Sequence, residues 1–247
     1  MRDILNDARS RGYAVGCYNV VSLEMARGII EAAEEERSPV ILCHAEVHFP
    51  ITPIEAIAPS MLYLSRSSRA PMSILLDHGR SIESVMRAIK NGFNAIMFDG
   101  SELPIEDNIK KTAEIVRIAH ALGVDVEAEI GRVTRPKSGG ACGEEEDSVV
   151  DDLSLYTDPG EASTFVERTG VDALAVAIGT VHGIYFKEPK LDFDRLNEIR
   201  RNTKAFLVLH GGSGLPDETM RKAIETGITK INYYTGVALK MAEDIRT

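Results

Sequence analysis

Eight short runs of apolar residues, rich in β-branched types, recur along the chain, and segments with helical spacing lie between them. The runs cover 14–19, 39–44, 72–77, 94–99, 124–129, 173–178, 205–210 and 229–233. From Leu23 to Glu36, and again from Ile105 to Leu122, the apolar residues fall on one stripe, as a helix packed on a sheet requires. Ser81 ahead of Ile82, and Asp217 after Pro216, mark helix starts. Strands that alternate with helices form a parallel sheet, and eight such units in order predict one closed into a (β/α)8 barrel. The 247 residues match the length of a single barrel domain spanning 1–247. A doubly wound open sheet is the competing arrangement. The first strand–helix junction, Cys17-Tyr18-Asn19-Val20, lacks the glycine-rich dinucleotide fingerprint that would favour it. One segment breaks the rhythm. Between Gly131 and Pro159 there is no clear periodicity, and Gly139-Gly140 is followed by Glu144-Glu145-Glu146-Asp147. A loop of this length in a compact domain reads either as a solvated, mobile surface loop or as a mobile active-site loop, at about 132–158.

Composition narrows the function. With 28 basic against 38 acidic residues, the formal net charge of −10 makes a poor partner for phosphate backbones, so no nucleic-acid partner is expected. No window approaches the roughly 18 uninterrupted apolar residues of a membrane helix, and the first residues lack a signal-peptide layout. A cytoplasmic protein with no membrane partner is expected. Cys17, Cys43 and Cys142 have no short paired spacing, against both a disulfide framework and a cysteine-based zinc knuckle.

The ends of the strands carry the chemistry. In order they read Asn19, His44, Asp77-His78, Asp99, Glu129, Gly179-Thr180-Val181-His182, His210 and Asn232. In a barrel all these ends share the rim where active sites form. A lone histidine is an ordinary loop residue, and His120, late in a helix, fits a solvated or capping role. His78, His182 and His210, brought to one rim, instead offer three imidazoles to one ion, the ligand set of a catalytic zinc with an open position. Asp77 either fixes a histidine tautomer or works as a general acid/base beside the metal. Asp99 and Glu129 read as metal ligands or substrate contacts, or else as capping and salt-bridging carboxylates. The turn His210-Gly211-Gly212-Ser213-Gly214 and the segment Asn232-Tyr233-Tyr234-Thr235 follow strands seven and eight, where barrels often bind phosphate. Gly179 to Gly183 is a third small-residue turn on that rim.

Leu76-Asp77-His78-Gly79, Asp99-Gly100-Ser101, Val126 to Gly131, Ala177 to Gly183 and His210 to Gly214 together resemble the class II, metal-dependent ketose-bisphosphate aldolases, which include the fructose- and tagatose-1,6-bisphosphate enzymes. The likeness covers nearly the whole chain, with the five motifs in order. It implies a barrel with zinc held by His78, His182 and His210, and Asp77 as proton donor and acceptor. It implies a second or alternative divalent metal at Asp99 and Glu129. It places Asn19, Gly183, Gly211, Gly212, Ser213, Asn232, Tyr233, Tyr234 and Thr235 around a phosphorylated sugar substrate. Glu144 or Glu145 resembles the family's flexible-loop glutamate, a second proton carrier. The implied reaction is reversible cleavage of a phosphorylated ketose to dihydroxyacetone phosphate and an aldehyde, through an enediolate whose charge zinc stabilises. A homodimer or homotetramer is expected, and the family's helices beyond the barrel are absent from the sequence.

The chain departs from the family pattern at Ala45, where a serine is usual, at Leu75, where a histidine is frequent, and at Tyr234, where fructose-type members carry Asp and tagatose-type members Ala. Two other readings remain on the sequence. A Schiff-base aldolase needs a desolvated lysine at a strand end, for which Lys187 and Lys230 are the nearby choices. A catalytically silent sugar-phosphate binding protein would be compatible with the altered Ala45 and Tyr234.

Overall fold

In the computed structural model, which describes residues 1–133, 153–183, 185 and 189–246, the apolar runs form eight strands closed into one parallel barrel in sequence order. They are β1 (Val15–Asn19), β2 (Val40–Ala45), β3 (Met72–Gly79), β4 (Ala95–Phe98), β5 (Asp125–Ile130), β6 (Ala173–Val176), β7 (Phe206–Leu209) and β8 (Ile228–Tyr233). β1 pairs with β8 as well as β2, which removes both sheet edges. Glu144, Glu145, Cys142, Lys187 and most of the expected 132–158 loop lie outside the described residues.

Around the barrel run α2 (Leu23–Glu35), α3 (Ile54–Ser67), α4 (Ile82–Lys90), α5 (Ile105–Ala121), α6 (Pro159–Thr169), α7 (Phe193–Asn202), α8 (Asp217–Thr226) and α9 (Thr235–Arg246), preceded by α1 (Arg2–Arg11). Local chemistry sets several of their starts. The Ser22 hydroxyl accepts the Met25 N–H, and Ser81 and Ser84 close a reciprocal capping box at α4. At α6 the Asp158 carboxylate accepts the N–H groups of Gly160 and Glu161. Among the described residues no helix is long and apolar enough to cross a membrane.

The period of two along each strand divides the core. Outward residues such as Leu42, Ile74, Leu76, Ile96, Val126 and Leu207 pack on the helical stripes, for example Ile57, Val85, Ile115, Phe165 and Leu196. Inward residues, among them Cys17, Ile41, Cys43, Leu75, Met97, Ala175 and Val208, fill the barrel and pack with Leu5 and Ala8 of α1. Thus α1, which lies outside the strand–helix repetition that organises the rest of the sequence, supplies apolar side chains to the barrel interior. The Met1 amine and the Arg2 side chain bind Asp125 at the start of β5, at 2.9 and 2.6 Å, so charge pairing holds α1 in place as well. The interior is closed by packing at that end and left to polar residues at the other.

Candidate active site

Three strands end sooner than the apolar runs suggest. β4, β6 and β7 stop at Phe98, Val176 and Leu209, and Asp99 and His210 therefore stand one residue beyond their strands, on the rim. The third strand carries an irregularity. Strict alternation would send Asp77 and His78 to opposite faces, but the pairing of β3 with β4 shifts register between Leu76 and Gly79. His78 there has φ 48°, in the left-handed region that costs a non-glycine residue about 1–3 kcal/mol. Both neighbours consequently reach the same site.

Asp77 is buried and its carboxylate is held from two sides. Asn19 Nδ2 donates to Oδ2 at 2.7 Å, and Asn232 Nδ2 donates to Oδ1 at 3.0 Å. Burial works against its charge, but His78, His210, Lys230 and the Asn19 hydrogen bond outweigh it and hold the carboxyl below the usual aspartate range.

His78, His182 and His210 form one cluster, with a ligating atom from each within 4.8 Å of the others. His78 Nε2 and His210 Nδ1 are 3.0 Å apart. The opposite nitrogen of each ring has its own partner: His78 Nδ1 lies 2.7 Å from Asp99 Oδ2, His210 Nε2 lies 3.1 Å from Glu127 Oε1, and His182 Nδ1 lies 3.2 Å from the Val133 carbonyl. Such outer partners orient imidazoles for ligation. A second group, His78, Asp99 and Glu129, adjoins the first. Glu129 is enclosed, and among the described residues its Oε2 accepts no hydrogen bond and lies 3.9 Å from His78 Nδ1, which leaves a buried acceptor suited to a cation. Burial and the neighbouring Asp99 push the Glu129 carboxyl up to about 8, against the opposing pull of His78. Burial disfavours a charged His78, yet Asp77, Asp99 and Glu129 together raise it to about 9. At His210, burial and the adjacent His78 and Lys230 act in the other direction and keep the imidazole neutral. Three converging imidazoles, a buried carboxylate oxygen that accepts no hydrogen bond among the described residues and surplus buried negative charge fit a divalent metal, and the nitrogen-rich set suits zinc.

Beside this cluster the glycine turns approach backbone closely. Gly211 has φ 72°, and an added Cβ would sit on the Val181 carbonyl oxygen; at Gly212 it would meet Ile231 Cγ2 at 2.6 Å and the Asn232 carbonyl at 2.8 Å. Tyr185 joins the turns after β6 and β7, its hydroxyl donating to the Gly211 carbonyl at 2.8 Å and accepting from the Val181 N–H at 3.1 Å. Ser213 Oγ accepts the N–H groups of Tyr234 and Gly236 at 3.2 and 3.1 Å, tying the β7 turn to the start of α9 at Thr235. Gly183, with φ 107°, follows His182 directly.

Not every expected residue joins this group. His44 follows the inward-facing Cys43 and turns away from the barrel interior. Its ring nitrogens lie 2.7 Å from the Val20 carbonyl and 2.9 Å from that of Thr52, and it stacks on Phe49. Its work is to join two loops. The Tyr234 ring packs on His48, with centroids 4.9 Å apart, and the Tyr233 ring faces Tyr18 at 6.1 Å. His120 is exposed in the last turn of α5, as a solvated role predicts, and its ring also reaches Asp172 at 2.8 Å.

Two residues that the strand-end pattern passes over stand directly beneath the rim. Glu127 and Lys230 are two positions before Glu129 and Asn232, on the same inward faces, and both are fully buried. The period of two was the signal that could have found them. Lys230 Nζ lies 2.9 and 3.0 Å from the two Glu127 oxygens. Burial opposes its charge, but Cys17, Glu127 and Asp77 outweigh that and raise the ammonium above the usual lysine range. A Schiff-base nucleophile needs the opposite shift, so this lysine does not serve that reading.

Comparison with known proteins agrees with this constellation. The family model described as "Fructose-bisphosphate aldolase class-II" matches residues 1–247. A probable fructose-bisphosphate aldolase of Bacillus subtilis is 41% identical over 250 residues, covering 100% of this chain and 84% of that protein. A Staphylococcus aureus fructose-bisphosphate aldolase is 42% identical over 251 residues with the same coverage. Among solved structures, the YdjI aldolase of Escherichia coli K12 superposes with a TM-score of 0.87 at 38% identity, covering 99% of this chain and 84% of that one.

Proposed function

The chain belongs to the class-II fructose-bisphosphate aldolase family and is a metal-dependent aldolase, a lyase; from that premise we propose that it reversibly cleaves a ketose 1,6-bisphosphate of the fructose or tagatose type to dihydroxyacetone phosphate and an aldehyde, with zinc as its metal. The single observation that carries the reading is the juxtaposition of a buried, doubly anchored carboxylate, Asp77, with the convergent imidazoles of His78, His182 and His210. Those three histidines would hold the metal, and Asp99 and Glu129 would provide the adjoining ligand position. When bound, a divalent metal polarises the substrate's ketone and hydroxyl oxygens as a Lewis acid.

The protein's own groups do the rest. The Asp77 carboxylate takes the proton from the C4 hydroxyl, the C3–C4 bond breaks, and its electron pair passes to C3 as C4 leaves as the aldehyde carbonyl. The carboxyl then carries that proton for the reverse condensation. Asn19 and Asn232 keep Asp77 ionised and aimed by donating to its two oxygens. Gly183, Gly211, Gly212 and Ser213, with the chain from Asn232 to Thr235, form the cradle for the phosphate of the ketone half. Small residues there let main-chain N–H groups reach an anion. Glu144 or Glu145 returns a proton to C3 of the enediolate.

Metal content of the purified protein, with cleavage of fructose and tagatose 1,6-bisphosphates measured before and after chelation, tests the reading. About one zinc per chain at the three-imidazole site and chelator-sensitive cleavage of either sugar are expected. Full activity after complete metal removal would overturn the assignment, and metal-dependent turnover of neither sugar would overturn the substrate.

A further inference from the structure

We propose that Lys230, enclosed inside the barrel and outside the reacting layer, is a positioning residue that ties the metal-binding imidazole of His210 to the proton-carrying carboxylate of Asp77, through Glu127 on one side and Asn232 on the other. The proposal rests on the roles given above to His210 and Asp77. Lys230 Nζ donates to the Asn232 Oδ1 at 2.6 Å and to Glu127 Oε1 at 3.0 Å, with Glu127 Oε2 in ion-pair contact at 2.9 Å. Asn232 Nδ2 continues to Asp77 Oδ1, and Glu127 Oε1 continues to His210 Nε2. A single ammonium thus stands at the middle of an unbroken chain of contacts linking the two functional groups.

The polarity of that chain is what gives Lys230 its role. An ammonium has only hydrogen-bond donors. The Asn232 amide must therefore show it the carbonyl oxygen, and its NH2 is turned toward Asp77, which needs a donor. On the other side the ammonium holds a carboxylate, which has only acceptors. His210 must then present Nε2 with its hydrogen to Glu127, and its Nδ1 is left with a lone pair facing His78 Nε2, where the ligating atoms converge. Reversing either end would turn the Asn232 carbonyl oxygen toward the Asp77 carboxylate, acceptor against acceptor, or a hydrogen toward the metal position. Both Lys230 and Glu127 are fully buried, so no solvent competes for these bonds.

The test is Lys230→Gln, whose amide offers both a donor and an acceptor and so no longer dictates either orientation. It is read with the zinc-loaded enzyme by kcat and KM, and with chelator competition by zinc affinity. Loss of an outer partner of a metal site predicts a fall of about 10–100-fold in kcat and in zinc affinity. KM should change much less than kcat, because Lys230 touches the phosphate cradle only through the Asn232 side chain, whose amide is turned to Asp77. In an Asp77→Asn background the same substitution should give little further loss of kcat, whereas a general weakening of the fold would add in full. A folded Lys230→Gln enzyme with wild-type kcat and zinc affinity, or with losses that add fully to Asp77→Asn, overturns the proposal. A measurement without any variant guards against misfolding: in the metal-free wild type, long-range proton–nitrogen NMR should find His210 with its hydrogen on Nε2, and a hydrogen on Nδ1 overturns it. Wild-type zinc binding and cleavage are measured in parallel. Their absence would fell the reading of the site itself, whereas their presence alongside an unaffected Lys230→Gln would fell this inference alone.

Discussion

Replacing Asp77 by Asn separates proton transfer from metal binding, and the structure sets the expected size of each effect. In the native site both carboxylate oxygens accept an amide N–H, at 2.7 Å from Asn19 and 3.0 Å from Asn232. In Asp77→Asn one of those oxygens becomes an NH2 and would oppose another NH2. Asn232 cannot turn to relieve this, because its oxygen is held by Lys230 at 2.6 Å. Asn19 can, since among the described residues its buried Oδ1 has no hydrogen-bond partner, and a half-turn would bring it round to accept. The variant should therefore lose only the difference between charged and neutral hydrogen bonds, about 1–2 kcal/mol of folding stability. Among the described residues the hydrogen bonds of Asp77 go to Asn19 and Asn232 and not to the three imidazoles, so zinc should stay bound. An amide is no base, and removing a positioned acid/base group costs about 10²–10⁴ in rate. At 1.36 kcal/mol per factor of ten, that is about 2.7–5.4 kcal/mol in the barrier, well above the stability change. The assay is steady-state cleavage of the bisphosphate with zinc content and a thermal melt on the same sample. A zinc-loaded variant whose kcat stays within about tenfold of wild type would refute Asp77 as the proton carrier. Loss of zinc together with activity would show that Asp77 acts by supporting His78 instead.

Three further substitutions probe separate parts of the structure. His210→Ala removes one of three ligands and should abolish both zinc retention and cleavage; an active, metal-free variant would contradict the ligand set. Gly212→Ala places a Cβ 2.8 Å from the Asn232 carbonyl, so the cradle must shift and KM should rise for phosphorylated substrates more than kcat falls, which initial-rate kinetics would show. Asp125→Asn removes the partner of the Met1 amine and Arg2 and should cost about 1–3 kcal/mol in urea unfolding near neutral pH. Burial opposes the Asp125 charge, but Arg2 and the Met1 amine hold its carboxyl below the usual range. A depressed carboxyl contributes stability above its unfolded value, near 3.9, and loses it as pH falls through the lower folded value. The gap between wild type and variant should close on acidification, and a gap independent of pH would refute the ionic account.

What could be read from the sequence was what depends on neighbours in the chain. Hydrophobic period distinguishes strand from helix within a few residues, so the order of the eight units and the barrel followed, and with them the rim that collects Asp77, His78, His182 and His210. The serine caps at Ser22 and Ser81 are local in the same sense. What only the tertiary structure decided depends on closure and on facing. The backbone irregularity at His78 brings two adjacent side chains to one site. His44 and Asn19 lie near the ends of neighbouring strands, yet only Asn19 faces the interior. α1 is set by burial of Leu5 and Ala8 inside a barrel that must already exist, and its short polar sequence carries no repeat to announce it. The contacts that align Asp77 span 58 and 155 residues, to Asn19 and Asn232, and the pair beneath them, Glu127 and Lys230, is 103 residues apart. Glu127 and Lys230 lie inside their strands, and local periodicity can say which face a residue occupies but not what stands across the barrel from it.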